Sequence, residues 1–325
     1  MVCMTLEQLR VFVAVAERQH MTRAAEALNM TQSAASAGVA ALEARHSVRL
    51  FDRVGRGLAL TEAGRVFLSE AKAVLARADA AARALGDLAG LERGAITLAA
   101  SQTVANYWLP SRMAAFVHAH PGIALKLTVG NTALVAEAVL EGDADLGFIE
   151  GDIDSPRLER RRISTDRIAL YAAPTHPMAG TAVEPRDLEG FLWARREIGS
   201  GTRSEFEHAL AERGVNPAQL RTALELTSNE AVLEAAASSG LVAAVSELAA
   251  QSFVAAGRLT RLAFELPDRH FDLVTHKERG RSPAAAAFVV EMRTVGYSSP
   301  LADVSRAAPG RPADFASTRR GVATV

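Results

Sequence analysis

Apolar side chains near the start of this chain recur at helical spacing. Leu6, Leu9, Phe12, Val13 and Ala16 fall on one face, and Thr5-Leu6-Glu7-Gln8 has the form of a capping box that opens the helix. Ala24, Ala25 and Leu28 mark a second, short helix over Thr22–Leu28. Ala35, Val39 and Leu42 mark a third over Gln32–Arg45. Asn29 and Met30 make the break between these two, since Asn tolerates left-handed backbone, and Thr31 stands where an N-cap belongs. The other face of the third helix shows Gln32, Ser33 and Ser36, which are short, uncharged and rich in hydrogen-bonding groups. Such a face suits base edges in a major groove, where Gln pairs bidentately with adenine and Ser serves either partner. By itself the spacing equally fits an ordinary pair of helices with a solvated polar side.

The flanks decide between the two. Val48-Arg49-Leu50-Phe51-Asp52-Arg53, then Gly55-Arg56-Gly57, then Leu58-Ala59-Leu60 read as a small hairpin with glycines and arginines at its turn, a wing beside the helix pair. Thr61-Glu62-Ala63-Gly64 opens another helix. LEQLRVFVAVA at 6–16, TRAAEAL at 22–28, TQSAAS at 31–36, LE at 42–43, VRLFDR at 48–53 and LTEAG at 60–64 together resemble the N-terminal domain of LysR-type transcriptional regulators. The resemblance implies an all-α winged helix-turn-helix over 4–61 that binds double-stranded DNA through Thr31, Gln32, Ser33, Ser36, Arg53 and Arg56. Ala37 and Gly38 depart from it, standing where most of the wider family has Arg and Gln. A mid-helix Gly also costs about 1 kcal/mol against Ala.

From Thr61 to about Leu91 the chain reads as one long, Ala-rich helix without Pro. Val66, Phe67, Val74, Leu75, Leu85, Leu88 and Leu91 form its interrupted apolar stripe. The small domain in front cannot cover a helix of this length, so a partner helix is expected; the alternative is a connector packed on its own chain. The resemblance implies a linker over 62–92 that pairs two subunits into a homodimer and on to a homotetramer, with a hinge at Gly90–Gly94.

Beyond Ala95 short apolar strands alternate with helices. Strands are expected at Ile96–Ala100, Ile123–Val129, Leu146–Ile149, Ile168–Ala172, Phe191–Ala194, Ala223–Leu226, Leu241–Val245, Leu259–Phe264 and Phe271–Thr275. Helices are expected at Tyr107–His118, Thr132–Glu141, Thr202–Arg213, from Asn229, and at Pro283–Val295. Alternation of this kind argues for parallel α/β sheets. The resemblance implies an effector-binding domain over 93–297 made of two α/β subdomains like those of periplasmic binding proteins. The chain would cross between them near Glu150–Arg162 and near Leu262–Arg269. Residues 298–325 are Ser, Pro, Gly, Ala and Arg with little pattern, and read as a flexible tail.

Composition adds bounds. At 325 residues with 49% apolar and 22% charged side chains, the chain is long enough for two domains with sizeable cores. The formal net charge of −1 does not by itself suggest nucleic acid. Residues 1–60, however, hold seven Arg against five acids, a net of +2, so phosphate affinity there depends on placement and on doubling in a dimer. The single Cys, Cys3, excludes a disulfide framework and fits a reducing cytoplasm. No signal peptide or membrane span is expected, and Met4 is an alternative start where the resemblance begins.

Open α/β sheets bind ligands beyond the carboxyl ends of their strands, where helix N-termini present free amides. Three junctions have that chemistry: Ser101-Gln102-Thr103, Gly199-Ser200-Gly201-Thr202 and Thr227-Ser228-Asn229. Each alone is a routine cap or turn, and together they suit a small oxyanion held by neutral hydroxyls and amides. AASQT at 99–103, VGN at 129–131, LGFIEG at 146–151, WARREIGSGTR at 193–203 and QSAAS at 32–36 are similar to the subgroup of LysR-type regulators that respond to sulfite and control sulfur assimilation. That resemblance implies Ser101, Thr103, Ser200, Gly201 and Thr202 around a small anionic effector such as sulfite. It places Glu150 and Arg196 near the cleft, either setting its field or pairing with each other. The stretch 227–229 is shuffled against the subgroup and carries over only weakly.

Enzyme readings fare poorly. The chain has no Gly-rich phosphate loop with Lys and no Gly-x-Ser-x-Gly elbow. Among its eight His only His118-x-His120 approaches metal-ligand spacing, and it sits at a helix end before Pro121, where it reads as a capping feature. Neither catalytic nor metal residues are expected, nor a cofactor beyond the effector. A solute-binding module or small-molecule enzyme built on the α/β half would leave the helix pair and wing without a use. A same-family regulator of an organic acid or a metabolic phosphate stays open, because hydroxyls and amides hold carboxylates as readily as sulfur oxyanions.

Overall fold

The Thr5 hydroxyl accepts the Gln8 amide at 3.2 Å and the Gln8 side chain accepts the Thr5 amide at 3.1 Å, which fixes the start of α1 (Leu6–Arg18). The computed structural model describes residues 4–54, 57–87 and 94–294. Arg56, residues 90–93 of the expected hinge and the expected tail at 298–325 lie outside them.

Helices α2 (Met21–Ala27) and α3 (Gln32–His46) follow, with Asn29 at φ 54° in the left-handed region between them. Thr31 caps α3 by accepting the Ala34 amide at 3.2 Å. Leu9, Phe12, Val15, Ala24, Ala35, Val39 and Leu42 meet in one buried cluster. The wing is the antiparallel pair β1 (Phe51–Val54) and β2 (Gly57–Leu60). It is tied to α3 by Glu43, whose Oε1 accepts the Leu50 amide at 2.7 Å and the Phe51 amide at 3.2 Å.

Helix α4 (Glu62–Asp87) is capped by the Thr61 hydroxyl, which accepts the Gly64 amide at 2.9 Å. Its apolar stripe divides. Ala71 is buried and Phe67, Leu68 and Leu75 pack on the N-terminal core, with the Phe67 and Phe12 rings 4.8 Å apart. Val66 and Val74 remain exposed. Two members of the expected stripe, Phe67 and Leu75, are therefore spent on the chain's own first domain, and Leu88 and Leu91 lie outside the described residues.

The remaining elements are β3 (Gly94–Ser101), α5 (Leu109–Ala119), β4 (Ile123–Gly130), α6 (Thr132–Glu141), β5 (Leu146–Glu150) and β6 (Leu158–Ala172). Then come β7 (Leu192–Arg196), α7 (Gly201–Ala211), β8 (Arg221–Leu226), α8 (Asn229–Ser238), β9 (Val242–Ser246), α9 (Glu247–Ala255), β10 (Thr260–Arg261), β11 (Asp268–His276) and α10 (Pro283–Thr294). Strands pair in the order β4-β3-β5-β11-β6-β9-β7-β8, with β10 also on β6. Within each half the pairs β3–β4, β3–β5, β7–β8 and β7–β9 are parallel, as the alternation predicts. The strands that join the halves are antiparallel: β5–β11, β11–β6 and β6–β9.

Two lobes result. β6 belongs to both, pairing with β11 up to Arg167 and with β9 from Ile168. The first crossing thus lies inside a 15-residue strand rather than at Glu150–Arg162. Its first part, LERRRISTDR at 158–167, shows no apolar run because its side chains lie largely at the surface, which hid it from the periodicity. Helix α9 is also absent from the sequence reading. Lobe I packs Ile96, Leu98, Trp108, Phe116, Phe148 and Phe288 at its centre; lobe II packs Leu170, Trp193, Phe206 and Leu262.

Candidate functional site

On α3, Gln32 and Ser33 are exposed and Ser36 is half-buried, all at the N-terminal end of the helix. Thr31 Oγ1 lies 3.0 Å from Ser33 Oγ while it caps the helix, so its lone pair is committed locally. Arg53 is exposed on β1 of the wing. Gly38 packs its Cα side on Val11, where an added Cβ would stand 3.5 Å from Val11 Cγ1. The short, uncharged face and the basic wing lie on adjoining elements, an arrangement that can set side chains against base edges and phosphates together.

The second site lies where the lobes meet. Ser101 ends β3, Glu150 ends β5, Ser200, Gly201 and Thr202 open α7, and Arg196 ends β7, so the topology gathers all six at strand ends as the α/β rule requires. Ser101 Oγ donates to Glu150 Oε2, and Thr202 Oγ1 donates to Glu150 Oε1 at 3.3 Å. The Thr132 hydroxyl donates to the Glu150 carbonyl at 2.5 Å. Glu150 and Arg196 do not pair. Arg196 instead grips Glu197 through Nε at 2.8 Å and Nη2 at 3.0 Å, and donates from Nη1 to Asn229 Oδ1 at 2.6 Å.

The cation beside Glu150 is Arg269, on β11, which the sequence reading did not select. Arg269 Nη1 lies 3.9 Å from Glu150 Oε1, and its Nε donates to Asp166 Oδ2 at 2.8 Å. Nη1 donates to Thr202 Oγ1 at 3.0 Å and Nη2 to Thr103 Oγ1 at 3.4 Å. Asn229, from the shuffled stretch, belongs here too: its Nδ2 donates to Thr103 Oγ1 at 3.1 Å. Arg269 sits in the stretch expected as the second crossing, but nothing in its local sequence sets it apart from the other basic residues.

Ser101, Thr103, Glu150, Arg196, Ser200, Thr202, Asn229 and Arg269 are each no more than 3% exposed. In this arrangement they are closed off from solvent. A groove of about 380 Å³ beside them, bordered by Thr132, Asp152, Gly199 and Ser204, leads toward this junction. A wider groove of about 790 Å³, near His176, Phe191 and Ser239, lies at the opposite ends of β7 and β9, away from these groups.

Further bonds hold the lobes together at the rim. Asn131 Nδ2 donates to Glu197 Oε1 at 3.3 Å, and Gln102 Nε2 donates to the Thr227 carbonyl at 3.1 Å. Tyr107 OH and Asn106 Nδ2 donate to Glu230 Oε1 at 2.6 and 3.1 Å. Burial acts to raise the Glu230 carboxyl, but the bonds from Tyr107, Ser228 and Asn106 outweigh it and hold the group below its ordinary range. The Tyr107 phenol is pushed up, by burial first and by Glu230 second. Glu197 is likewise lowered: burial opposes, and Arg196 prevails.

Among the described residues no cluster of His, Cys, Asp and Glu could hold a metal ion, and no helix is long and apolar enough to cross a membrane. His120 closes α5, with its Nε2 2.6 Å from Glu291 Oε1.

Residues 6–65 match the family described as "Bacterial regulatory helix-turn-helix protein, lysR family", and residues 89–296 match "LysR substrate binding domain". The chain is 34% identical over 287 residues to an Escherichia coli (strain K12) protein described as an uncharacterized HTH-type transcriptional regulator, YeiE, covering 88% of this chain and 96% of that one. It is 35% identical over 287 residues to the RuBisCO operon transcriptional regulator of Allochromatium vinosum, covering 87% and 94%. Full-length CbnR, solved in complex with its target DNA, superposes with a TM-score of 0.64 at 24% identity, over 90% of this chain and 99% of that one. The Synechocystis PCC6803 CcmR regulatory domain, solved in complex with 2-PG, superposes with a TM-score of 0.57 at 25% identity, over 62% and 97%.

Proposed function

Because the chain belongs to the LysR family of DNA-binding transcriptional regulators, we propose that its DNA binding is tuned by a small oxyanion held between the two effector lobes, with sulfite the leading candidate. Its relatives and its fold are those of regulators rather than enzymes. One observation carries the oxyanion reading: three buried hydroxyls, Ser101, Thr103 and Thr202, converge with the Arg269 guanidinium at the junction of both lobes. In the closed arrangement the Glu150 carboxylate takes the hydrogen bonds of Ser101 and Thr202, so it stands in for the ligand. An incoming oxyanion replaces it on those donors, and an anion that still carries a proton meets less repulsion from Glu150. A ligand that touches both lobes favours closure in proportion to its differential affinity for the closed state.

The test is calorimetric titration of the full chain with sulfite, sulfate and phosphate. Ser101→Ala combined with Thr202→Ala should weaken sulfite binding at least tenfold and leave DNA binding in place. Unchanged titration by the double variant would sink the cleft site. The resemblance to a RuBisCO operon regulator and to a regulatory domain solved with 2-PG supports a second reading, in which a metabolic phosphate is the effector. Tighter binding of 2-PG than of sulfite selects it.

A further inference from the structure

We propose that Arg269 is the positioning residue that turns this cleft into a site for hydrogen-bond acceptors, by fixing which way its threonine hydroxyls point their protons. This rests on the oxyanion reading of the same cleft. A guanidinium carries donors only, so every oxygen it touches must accept. Arg269 Nη1 reaches Thr202 Oγ1 at 3.0 Å and Nη2 reaches Thr103 Oγ1 at 3.4 Å. Both threonine oxygens therefore have a lone pair engaged, and each O–H proton must point elsewhere. Thr202 aims its proton at Glu150 Oε1, 3.3 Å away.

Thr103 is constrained twice. Its oxygen also accepts from Asn229 Nδ2 at 3.1 Å. Which end of the Asn229 amide faces it is set by a second arginine: Arg196 Nη1 donates to Asn229 Oδ1 at 2.6 Å, so the amide nitrogen must turn to Thr103. With both lone pairs filled, Thr103 keeps only the capacity to donate. Two one-way chains result, Arg196 to Asn229 to Thr103, and Arg269 to Thr202 to Glu150. The first ends in the Thr103 hydroxyl donor; the second ends on the Glu150 carboxylate, which holds the Thr202 proton until an incoming acceptor replaces it. A ligand presenting lone pairs there is held, whereas one presenting only N–H or O–H groups meets an opposed donor and leaves it unpaired.

Arg269 is itself held by Asp166, whose Oδ2 lies 2.8 Å from Nε and 2.7 Å from Nη2 and whose Oδ1 accepts from Ser246 Oγ at 2.9 Å. Asp166 on β6 and Arg269 on β11 face each other in register at the crossing between the lobes. The fork that orients the hydroxyls is thus anchored on the pivot, where lobe opening moves it least.

The experiment is a coupling measurement on the full chain, read by calorimetric titration with sulfite and with phosphate. Arg269→Lys keeps the charge and the Asp166 pair but cannot reach both threonines at once. It should weaken binding of the wild-type ligand at least tenfold in the natural background. In a Thr103→Val, Thr202→Val background, already weakened, the same change should cost less than threefold, because the hydroxyls it acts through are gone. Thr103→Ser, which keeps the hydroxyl, should bind within threefold of wild type. Equal losses in both backgrounds would show that Arg269 acts on the anion directly or through the fold, and would overturn the proposal, as would no loss at all. If Arg269→Lys does not fold, Arg269→Met with Asp166→Asn removes the fork and its counter-charge together, and the same comparison applies. A wild-type chain that binds neither anion instead overturns the oxyanion reading itself.

Discussion

Gly201 lies so close against the carbonyl oxygen of Glu150 that no Cβ fits between them. The first turn of α7, in lobe II, is thereby brought onto the end of β5, in lobe I. Thr202 reaches Glu150 only because its neighbour has no side chain. Gly201 is thus a contact glycine between the lobes as well as a backbone amide at a helix start. Gly201→Ala should force the lobes apart at an overpacking cost of about 1–3 kcal/mol. Thermal unfolding should show a lower midpoint and titration a weakened anion site, while DNA binding by the N-terminal domain persists. An unchanged midpoint with full anion affinity would count against the closed junction.

Gly38 makes the opposite case. An added methyl would meet Val11 Cγ1 at 3.5 Å, ordinary contact distance. Gly38→Ala should therefore stabilise the N-terminal domain by about 1 kcal/mol through helix propensity alone. A fall in its melting temperature would show that α1 and α3 need a closer approach than the structure has.

Most of the fold could be read in advance because its signals are local. The Thr5–Gln8 capping box, Asn29 in left-handed backbone and the Thr31 cap are each set by residues within a turn of one another. Buried parallel strands such as β3 and β5 show as short apolar runs. The crossing strands do not, since the first half of β6 carries exposed Glu159, Arg160 and Arg162 and is defined by its pairing with β11 more than a hundred residues on. The cleft divides in the same way. Ser101, Thr103 and Thr202 follow apolar strands and were visible as junctions. Arg269 and Asp166 matter through two antiparallel strands meeting at a pivot, and Asn229 through Arg196, so no spacing in the sequence connects them.

The rim bonds make closure sensitive to acid. Glu230 sits below the ordinary 4.5, its burial outweighed by donors from Tyr107, Ser228 and Asn106. A lowered folded-state value adds stability that is present above the ordinary value and is lost as pH falls through the lowered one. The group is only partly buried, so solvent screens much of the effect. Hydrogen exchange of the α8 amides, followed from pH 6 down to about pH 3, should show loosening only below the ordinary carboxylate range. Tyr107→Phe should move its onset upward. A profile identical in the two proteins would remove Tyr107–Glu230 as a tie.

At the DNA, Gln32→Ala and Ser36→Ala should relax sequence preference at about 1–3 kcal/mol per lost base contact. Arg53→Ala should weaken binding to all sequences alike and lower the salt slope by about 0.9 for one phosphate contact. Both are read by titrating a site selected from random DNA, and a scrambled one, at several salt concentrations. A Gln32 variant that discriminates as well as wild type would move base reading off this helix face.

Assembly turns on the two valines of α4 that the first domain leaves uncovered. Val66 is 62% and Val74 44% exposed, eight residues apart and so on one side of the helix, while Phe67 and Leu75 pack inward. A second copy of the same helix offers a matching strip. The pairing this suggests is a homodimer through α4, with the effector domains adding a further contact to make a tetramer. Val66→Asp with Val74→Asp should lower the mass seen by light scattering at micromolar concentration. The N-terminal core should stay intact, because neither side chain belongs to it. DNA affinity should fall with the mass, since one weakly basic module loses the contacts of its twin. Wild-type protein running as a monomer would end this account of α4, and a double variant that keeps the wild-type mass would place the subunit contact elsewhere.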